Sequence, residues 1–228
     1  MLFYAEMIAD NVRSVMQRIA RCCEKTGRSP DSVRLVCVTK EASIDAMRQA
    51  IGAGVKVFGE NRVQDALAKY RVIGDAVEWH LIGHLQTNKV KDVVGVFSLI
   101  HSVDSLKLAR AIDKEAAGQG RPQEILIQVN ISREASKFGV APEEAVDFFK
   151  ETAAYRNIII KGLMTIAPEA EAPEAVRTYF KALKGLLGKI NMTLGTKYET
   201  LSMGMTNDFE AAIEEGSDIV RIGRAIFR

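Results

Sequence analysis

The sequence has few cysteines, no long apolar run and no excess of charge of one sign, and each shortage excludes a class of protein. The three cysteines (Cys22, Cys23 and Cys37) cannot all pair, which argues against a disulfide framework and favours a reducing, cytoplasmic compartment. No apolar run approaches membrane-helix length, and the amino terminus lacks a basic start followed by an apolar segment, so we predict neither a membrane span nor a signal peptide. A net charge of +2 gives no electrostatic case for nucleic acid or an acidic membrane surface.

Metal-ligand spacing is also missing. The three histidines (His80, His84 and His101) are dispersed, and no paired carboxylates accompany them, so we interpret them as core or rim residues and predict no metal. No stretch has linker-like or low-complexity composition. With 47% hydrophobic and 26% charged residues, the chain has ordinary globular composition, and we predict one domain over residues 1–228.

What the sequence does contain is a regular alternation of strand and helix patterns. An amphipathic helix comes first, with one apolar stripe formed by Ile8, Val12, Val15, Met16, Ile19 and Cys23. Eight short apolar segments then predict strands at residues 33–38, 55–58, 78–82, 97–100, 124–129, 158–163, 198–201 and 218–222. Helical patterns separate them, which indicates a parallel sheet.

Two architectures fit this alternation: a closed (β/α)8 TIM barrel with an extra N-terminal helix, and a doubly wound open sheet. An open sheet gathers its polar groups at one crevice. Here polar residues follow nearly every predicted strand: Lys40, Asn61, His84, His101, Asn130, Ser202 and Arg221. A barrel mouth ringed by such groups explains the pattern more simply, so we predict the α/β barrel.

Lys40 stands at the carboxyl end of the first predicted strand, VRLVCVTK. Enzymes use lysines at such positions to form Schiff bases with aldehydes, because burial shifts the lysine pKa readily. Taken alone, a lysine that simply points into water is the more ordinary interpretation. The loops after the last two strands favour the interpretation of Lys40 as a Schiff-base lysine.

Those loops, residues 201–208 and 221–227, occupy the positions where barrels bind phosphate. Ser202 offers a hydroxyl, Gly204 permits close backbone approach, and Gly223 opens a helical turn whose N–H groups suit an anion. Each glycine alone is more often a turn residue. An aldehyde-reactive lysine beside a phosphate cradle predicts pyridoxal 5′-phosphate (PLP), with Arg221 donating to the pyridine nitrogen because a guanidinium keeps its proton. The alternative for Arg221 is a salt bridge at the barrel rim.

The residues also resemble a known family, the pyridoxal phosphate homeostasis proteins, which are PLP-binding barrels related to the N-terminal domain of alanine racemase. Seven stretches carry the resemblance in order: LVCVTK, VFGENRVQDALAKY, EWHLIGHLQTNK, IHSVDSLKLA, ILIQVNISREASKFG, IKGLMTIAP and LSMGMTNDFEAAIEEGSDIVRIGRAIF. It implies a fold-type III PLP barrel with Lys40 as the Schiff-base lysine. It also implies that seven residues lie near the cofactor: Asn61, Ser202, Arg221 and Gly223, and more weakly Gly204, Met205 and Arg224.

Three stretches depart from the family pattern. Many members have Thr-Lys-Pro where this chain has Glu41-Ala42-Ser43, Ser-Asp-Asp where it has Thr206-Asn207-Asp208, and Thr in place of Arg224. The change at 224 is harmless if the backbone makes the phosphate contact, and weakens phosphate binding if a hydroxyl does.

The resemblance implies a carrier or buffer of PLP in its homeostasis, without turnover, with PLP-dependent apo-enzymes as partners and a monomer as the expected state. The alternative is an amino-acid racemase or a related PLP enzyme, which needs two bases on opposite faces of the substrate carbon. In alanine racemases the second base comes from a C-terminal domain, and because the chain ends shortly after the eighth predicted strand we expect none here. A third hypothesis is an interaction scaffold with a vestigial site.

Overall fold

A closed barrel of eight parallel strands is the centre of the molecule, as the computed structural model shows for residues 2–168 and 173–228. The strands follow one another in chain order, and β8 pairs with β1 to close the ring. They are β1 (Arg34–Val38), β2 (Val57–Glu60), β3 (Glu78–Leu81), β4 (Leu99–Val103), β5 (Gln123–Gln128), β6 (Ile158–Met164), β7 (Thr200–Met205) and β8 (Ile219–Ile222). The predicted (β/α)8 barrel is confirmed, and the open sheet is excluded.

Helices surround the barrel. They are α1 (Leu2–Lys25), α2 (Ile44–Gly52), α3 (Val63–Ile73), α4 (Leu106–Gly118), α5 (Ala145–Thr152), α6 (Pro173–Leu194), α7 (Phe209–Glu214) and α8 (Arg224–Phe227). The link from β3 to β4 is a 3₁₀ helix, Thr87–Asp92, where the sequence pattern predicted an ordinary helix. The extra N-terminal helix α1 packs against α2, α7 and α8.

The apolar stripe of α1 explains where that helix lies. Ile8, Val12, Val15 and Ile19 are all at most 2% exposed, at the spacing that repeats one helix face. Met16 was predicted on the same stripe but is 49% exposed. It directly follows Val15, so the helix turns it away from the buried face.

β4 and β7 extend beyond their predicted ends. The sequence pattern ended these strands at Ile100 and Leu201, since a polar residue follows each apolar run. In the structure His101 and Ser202 continue the strands, both fully buried. Their side chains hydrogen-bond to each other inside the barrel, which removes the cost of burying them.

The described side chains form two apolar clusters. The larger fills the space between the strands and the helices. The smaller lies inside the barrel and contains Val36, Val57, Ile82, Leu99, Leu126, Met164 and Ile219. Buried polar side chains also lie on the strands that contribute to this inner cluster.

Within the described part of the chain, no helix has the length and apolar character needed to cross a bilayer. All three cysteines are buried and unpaired.

Candidate functional site

A cavity of about 490 Å³ opens at the carboxyl ends of the strands. This volume falls within the ordinary range for small-molecule sites. Its lining comes from the carboxyl ends of the strands and from the loops that follow them: Val38, Lys40, Glu41, Asn61, Ile82, Gly83, His84, Gln128, Phe138, Ile166, Met205, Thr206, Arg221, Gly223, Arg224 and Arg228.

Lys40 lies two residues beyond β1, and its side chain is 53% exposed at the cavity mouth. Among the described residues the nearest carboxylate is Glu41, with 3.8 Å between Lys40 Nζ and Glu41 Oε1. Glu41 is also bound by Arg228, and this hydrogen bond holds the pKa of the Glu41 carboxyl below its usual value. The lysine is therefore placed in the cavity and remains open to solvent.

A buried ion pair holds the end of β1 just behind this lysine. Glu60, the last residue of β2, accepts from Thr39 Oγ1 at 2.6 Å and from Lys69 Nζ at 2.7 Å. Lys69 Nζ also donates to the Thr39 carbonyl at 2.5 Å. Both carboxylate and ammonium are largely removed from water, with 1% and 15% of their side chains exposed. The residue before Lys40 is thus fixed through its hydroxyl and its backbone.

Arg221 on β8 presents its guanidinium to the cavity from a position 4% exposed. Nη1 donates to Ser202 Oγ at 2.6 Å, and Nη2 donates to the Thr165 carbonyl at 2.8 Å. Burial lowers the pKa of Arg221 to about 10, which leaves it protonated at neutral pH. A guanidinium has five N–H donors, so three remain for a ligand. Because its partners are a hydroxyl and a carbonyl, the salt-bridge interpretation does not hold for Arg221.

Two of the predicted site residues lie outside the cavity lining. Ser202 is buried behind Arg221, which it contacts through its hydroxyl. Gly204 has φ of 95°, and a Cβ there would approach Ala212 Cβ to 2.6 Å, so this glycine is required by packing against α7. The phosphate interpretation of residues 201–208 therefore rests on Met205 and Thr206.

The remaining predicted residues do come together. Six of the eight line the cavity: Lys40, Asn61, Met205, Arg221, Gly223 and Arg224. Gly223 has a further reason to be glycine, since a Cβ there would lie 2.9 Å from the Val38 carbonyl oxygen of β1. After it, the first N–H groups of α8 have no acceptor within their own helix.

Sequence reasoning placed His84 at the barrel mouth but missed Phe138, which forms one side of the cavity with it. Their rings stack at 3.8 Å between centroids, with 14° between planes. Asp104 lies 3.6 Å from His84 Nδ1. Phe138 belongs to the long loop after β5, and nothing in the sequence pattern joins that loop to the one after β3. Thr206 and Arg228 were missed as well, although Thr206 directly follows a predicted residue.

The charge of the cavity favours an anion. Among the described residues, four cationic side chains line it (Lys40, Arg221, Arg224 and Arg228), against one carboxylate, that of Glu41. Such a concentration of one sign in a concave site raises the local concentration of an oppositely charged ligand. Nothing in the described residues groups three or more metal ligands.

Comparison with known proteins extends this description. Residues 7–228 match the family described as alanine racemase, N-terminal domain. The chain is 43% identical to the pyridoxal phosphate homeostasis protein of Aquifex aeolicus, over 96% of each chain. It is 40% identical to the protein of the same name from Pseudomonas aeruginosa, over 96% of this chain and 94% of that one. It is also similar to the solved structure of PipY from Synechococcus elongatus with PLP bound, with a TM-score of 0.85 and 32% identity over 97% of this chain and 100% of that one.

Proposed function

We propose that this chain, which belongs to the family of pyridoxal phosphate homeostasis proteins, holds PLP as a Schiff base on Lys40 and carries or buffers that cofactor without turnover. The observation that carries the proposal is the cavity itself. One solvent-open lysine, one buried arginine and an anion-binding rim converge on a space of suitable size. The family relationship and the PLP-bound PipY structure support the cofactor's identity.

The residues present fit PLP. Its phosphate is anionic, and Thr206, Arg224 and the first N–H groups of α8 offer a hydroxyl, a cation and backbone donors on one side of the cavity. Its pyridine nitrogen is an acceptor, and Arg221 retains free donors facing the cavity. Its aldehyde needs an amine, which Lys40 supplies. When bound, PLP supplies electrophilic and electron-withdrawing chemistry.

The departures from the family pattern are compatible with this fit. Thr206 keeps a hydroxyl at the cavity, where many members have serine. Ser43 serves as the N-cap of α2, accepting from the Ala46 N–H at 3.2 Å, and so has a local role. Arg224 is exposed at the rim and adds a positive charge where others have a hydroxyl.

The absence of turnover is supported by the state of the bases in the cavity. A racemase needs a second base facing Lys40 across the substrate. Of the described lining residues, Glu41 is held by Arg228 and His84 is stacked on Phe138 near Asp104. Racemase-like activity is the alternative function. It would require Glu41 or His84 to be released from the contacts that hold it.

The exposure of Lys40 supports the role of a carrier. Its side chain is about half in solvent, so an amine from another protein can reach a Schiff base there. We propose PLP-dependent apo-enzymes as recipients, a monomer as the working state and a cytoplasmic location, with no part for nucleic acid or membranes.

The test is an absorbance spectrum of the purified protein with added PLP, before and after borohydride reduction, followed by peptide mass mapping. We expect the visible band of a Schiff base and a reduced adduct on Lys40. Lys40→Ala should lose the adduct and keep its unfolding transition, because the side chain fills no core space. Lys161→Ala, a half-exposed lysine on β6, is the matched control and should keep the adduct.

An adduct that persists in Lys40→Ala, or no band at any PLP concentration, would contradict the proposal. Racemase and transaminase assays on the loaded protein then separate carrier from enzyme. Turnover above that of free PLP would favour the alternative.

A further inference from the structure

A line of polar side chains runs through the interior of the barrel from one end to the other. It begins with Arg221 at the cavity and continues through Ser202, His101 and His80 to Glu78, the first residue of β3. The distances are 2.6 Å from Arg221 Nη1 to Ser202 Oγ, 3.0 Å from Ser202 Oγ to His101 Nδ1, and 3.0 Å from His101 Nε2 to His80 Nδ1.

The last separation, from His80 Nε2 to Glu78 Oε2, is 3.7 Å, an electrostatic contact rather than a hydrogen bond. Ser202, His101 and His80 are each 0% exposed, while the Glu78 side chain is 52% exposed. The line therefore joins the cofactor cavity to solvent at the opposite end of the barrel.

The groups at the two ends of this line determine the direction in which its hydrogen bonds are donated. Arg221 can only donate, so Ser202 Oγ accepts from it. If the Ser202 hydroxyl donates to His101 Nδ1, then His101 carries its proton on Nε2 and donates to His80 Nδ1. His80 then carries its proton on Nε2, facing the Glu78 carboxylate. In this arrangement each of the three hydrogen bonds joins a donor to an acceptor, and the Nε2–H of His80, which has no hydrogen-bond partner among the described residues, faces the carboxylate of Glu78 at 3.7 Å.

The opposite direction of donation leaves a polar group without a suitable partner at each end of the line. A proton on His101 Nδ1 would donate to Ser202, and the Ser202 hydroxyl would have to find another acceptor in a fully buried position. His80 would then carry its proton on Nδ1, and its bare Nε2 would face the carboxylate of Glu78, lone pair against lone pair. Leaving a buried hydroxyl without a partner costs about 1–3 kcal/mol.

We infer that the hydrogen bonds from Arg221 through Ser202 and His101 to His80 all run in one direction, and that the charge of Glu78 at the far end fixes the tautomers of His80 and His101 and so positions Arg221 at the cavity. His101, His80 and Glu78 are positioning residues that act through Ser202. The ionic state of the amino-terminal end of the barrel is thereby coupled to the group that faces the pyridine nitrogen.

Other charged groups surround the chain. Arg34 pairs with Glu78 at 3.3 Å, and Glu124 and Arg34 both act electrostatically on His80. Arg221, His80 and Arg34 all oppose a positive charge on His101, and burial opposes it most strongly, so the pKa of His101 is well below its ordinary value. Both imidazoles therefore remain neutral at neutral pH, as a chain of single donors and single acceptors requires.

The chain has only three histidines, which makes a direct test practical. In protein labelled with ¹⁵N-histidine and free of PLP, nitrogen shifts report which ring nitrogen carries the proton. The substitution His84→Asn identifies the signal of the histidine at the cavity rim, and the two remaining signals belong to His80 and His101. We expect both to carry the proton on Nε2 with Nδ1 bare. A proton on Nδ1 of His101 would overturn the inference.

The coupling is tested by Glu78→Lys, with Glu199→Lys as the matched control. Both replace an exposed carboxylate at the amino-terminal end of a barrel strand, and Glu199 is not among the charged groups that act on His80 or His101. Lysine at 78 would donate to His80 Nε2, which should reverse both tautomers and weaken PLP binding about tenfold. The control should leave the tautomers and the PLP affinity unchanged.

Tautomers that stay as in the wild type in Glu78→Lys, or equal changes in the two variants, would refute the coupling. The affinity readout rests on the proposed PLP site, whereas the tautomer readout uses the protein without PLP. A failure of the proposed function would therefore leave the tautomer result standing, and the two failures can be told apart.

Discussion

The buried ion pair of Glu60 and Lys69, next to the residue before Lys40, allows the loss of stability in a variant to be worked out from the structure. Lys69→Met removes the ammonium 2.7 Å from Glu60 and fills its space with an apolar chain of similar length. Glu60 then keeps only the Thr39 hydroxyl as a partner, at a position with 1% of its side chain exposed. Removing one partner of a buried pair costs about 3–5 kcal/mol, because the remaining charge is left uncompensated.

That loss converts to a shift in melting temperature through the size of the chain. For 228 residues, an unfolding entropy of about 2.1 cal/mol/K per residue gives about 0.5 kcal/mol per degree. We therefore expect Lys69→Met to melt about 6–10 °C below the wild type in calorimetry, with a matching loss in urea unfolding.

Two controls separate the charge from the packing. Adding Glu60→Gln to Lys69→Met removes the stranded charge and keeps an acceptor for Thr39, so it should recover most of the loss. Lys161→Met breaks the exposed pair with Glu124 and should cost less than about 1 kcal/mol. If Lys69→Met unfolds within about 1 kcal/mol of the wild type, or if the double variant is no more stable than the single one, the reasoning is refuted.

Three further predictions concern residues on the barrel strands. Arg221→Met should lower the free energy of unfolding by about 1–3 kcal/mol in urea titrations, since the Thr165 carbonyl loses its donor, and should make the spectrum of bound PLP newly pH-dependent; an unchanged spectrum would remove Arg221 from the cofactor. Burial holds the pKa of His80 and His101 below the ordinary value. The unfolded chain therefore binds their protons first as pH falls below about 6.5, and stability should decrease by up to about 1.4 kcal/mol per pH unit for each histidine; urea unfolding at a series of pH values checks this, and a flat profile below pH 6.5 would contradict it. Gly204→Ala should destabilise the fold, because its φ of 95° and the 2.6 Å approach to Ala212 both oppose a Cβ, whereas Gly188→Ala on α6 has no atom within 4 Å and serves as the control in the same melting assay.

Local periodicity predicted the alternating strands and helices, and the polar residues at the strand ends then favoured the closed barrel over the open sheet. Each strand of this fold is a short apolar run and each helix an amphipathic stripe, so neighbouring residues carry the information. The same criterion failed where an inward-facing polar residue interrupted a run, as at His101 and Ser202. Those two residues are 101 positions apart, and only the closed barrel brings them together.

The candidate site was predictable in part for the same reason. Lys40, Asn61 and Arg221 lie at or just beyond strand ends, where strand prediction places them at one rim. Phe138 and Arg228 approach the cavity through a loop and a chain terminus whose paths depend on tertiary packing. Ser202 and Gly204 were assigned to a phosphate loop because the strand containing them was predicted too short.

The closure of the barrel limits which surfaces of this protein a partner protein can bind. Because β8 pairs with β1, each of the eight strands has a hydrogen-bonded neighbour on both sides. In the described part of the chain, a partner protein therefore finds no free strand edge in this barrel to which it could add a strand of its own. Binding of a partner must use side chains on the helices or on the rim loops, and a partner that docks at the rim loops would cover the cavity mouth. Release of the ligand and release of the partner would then be linked steps.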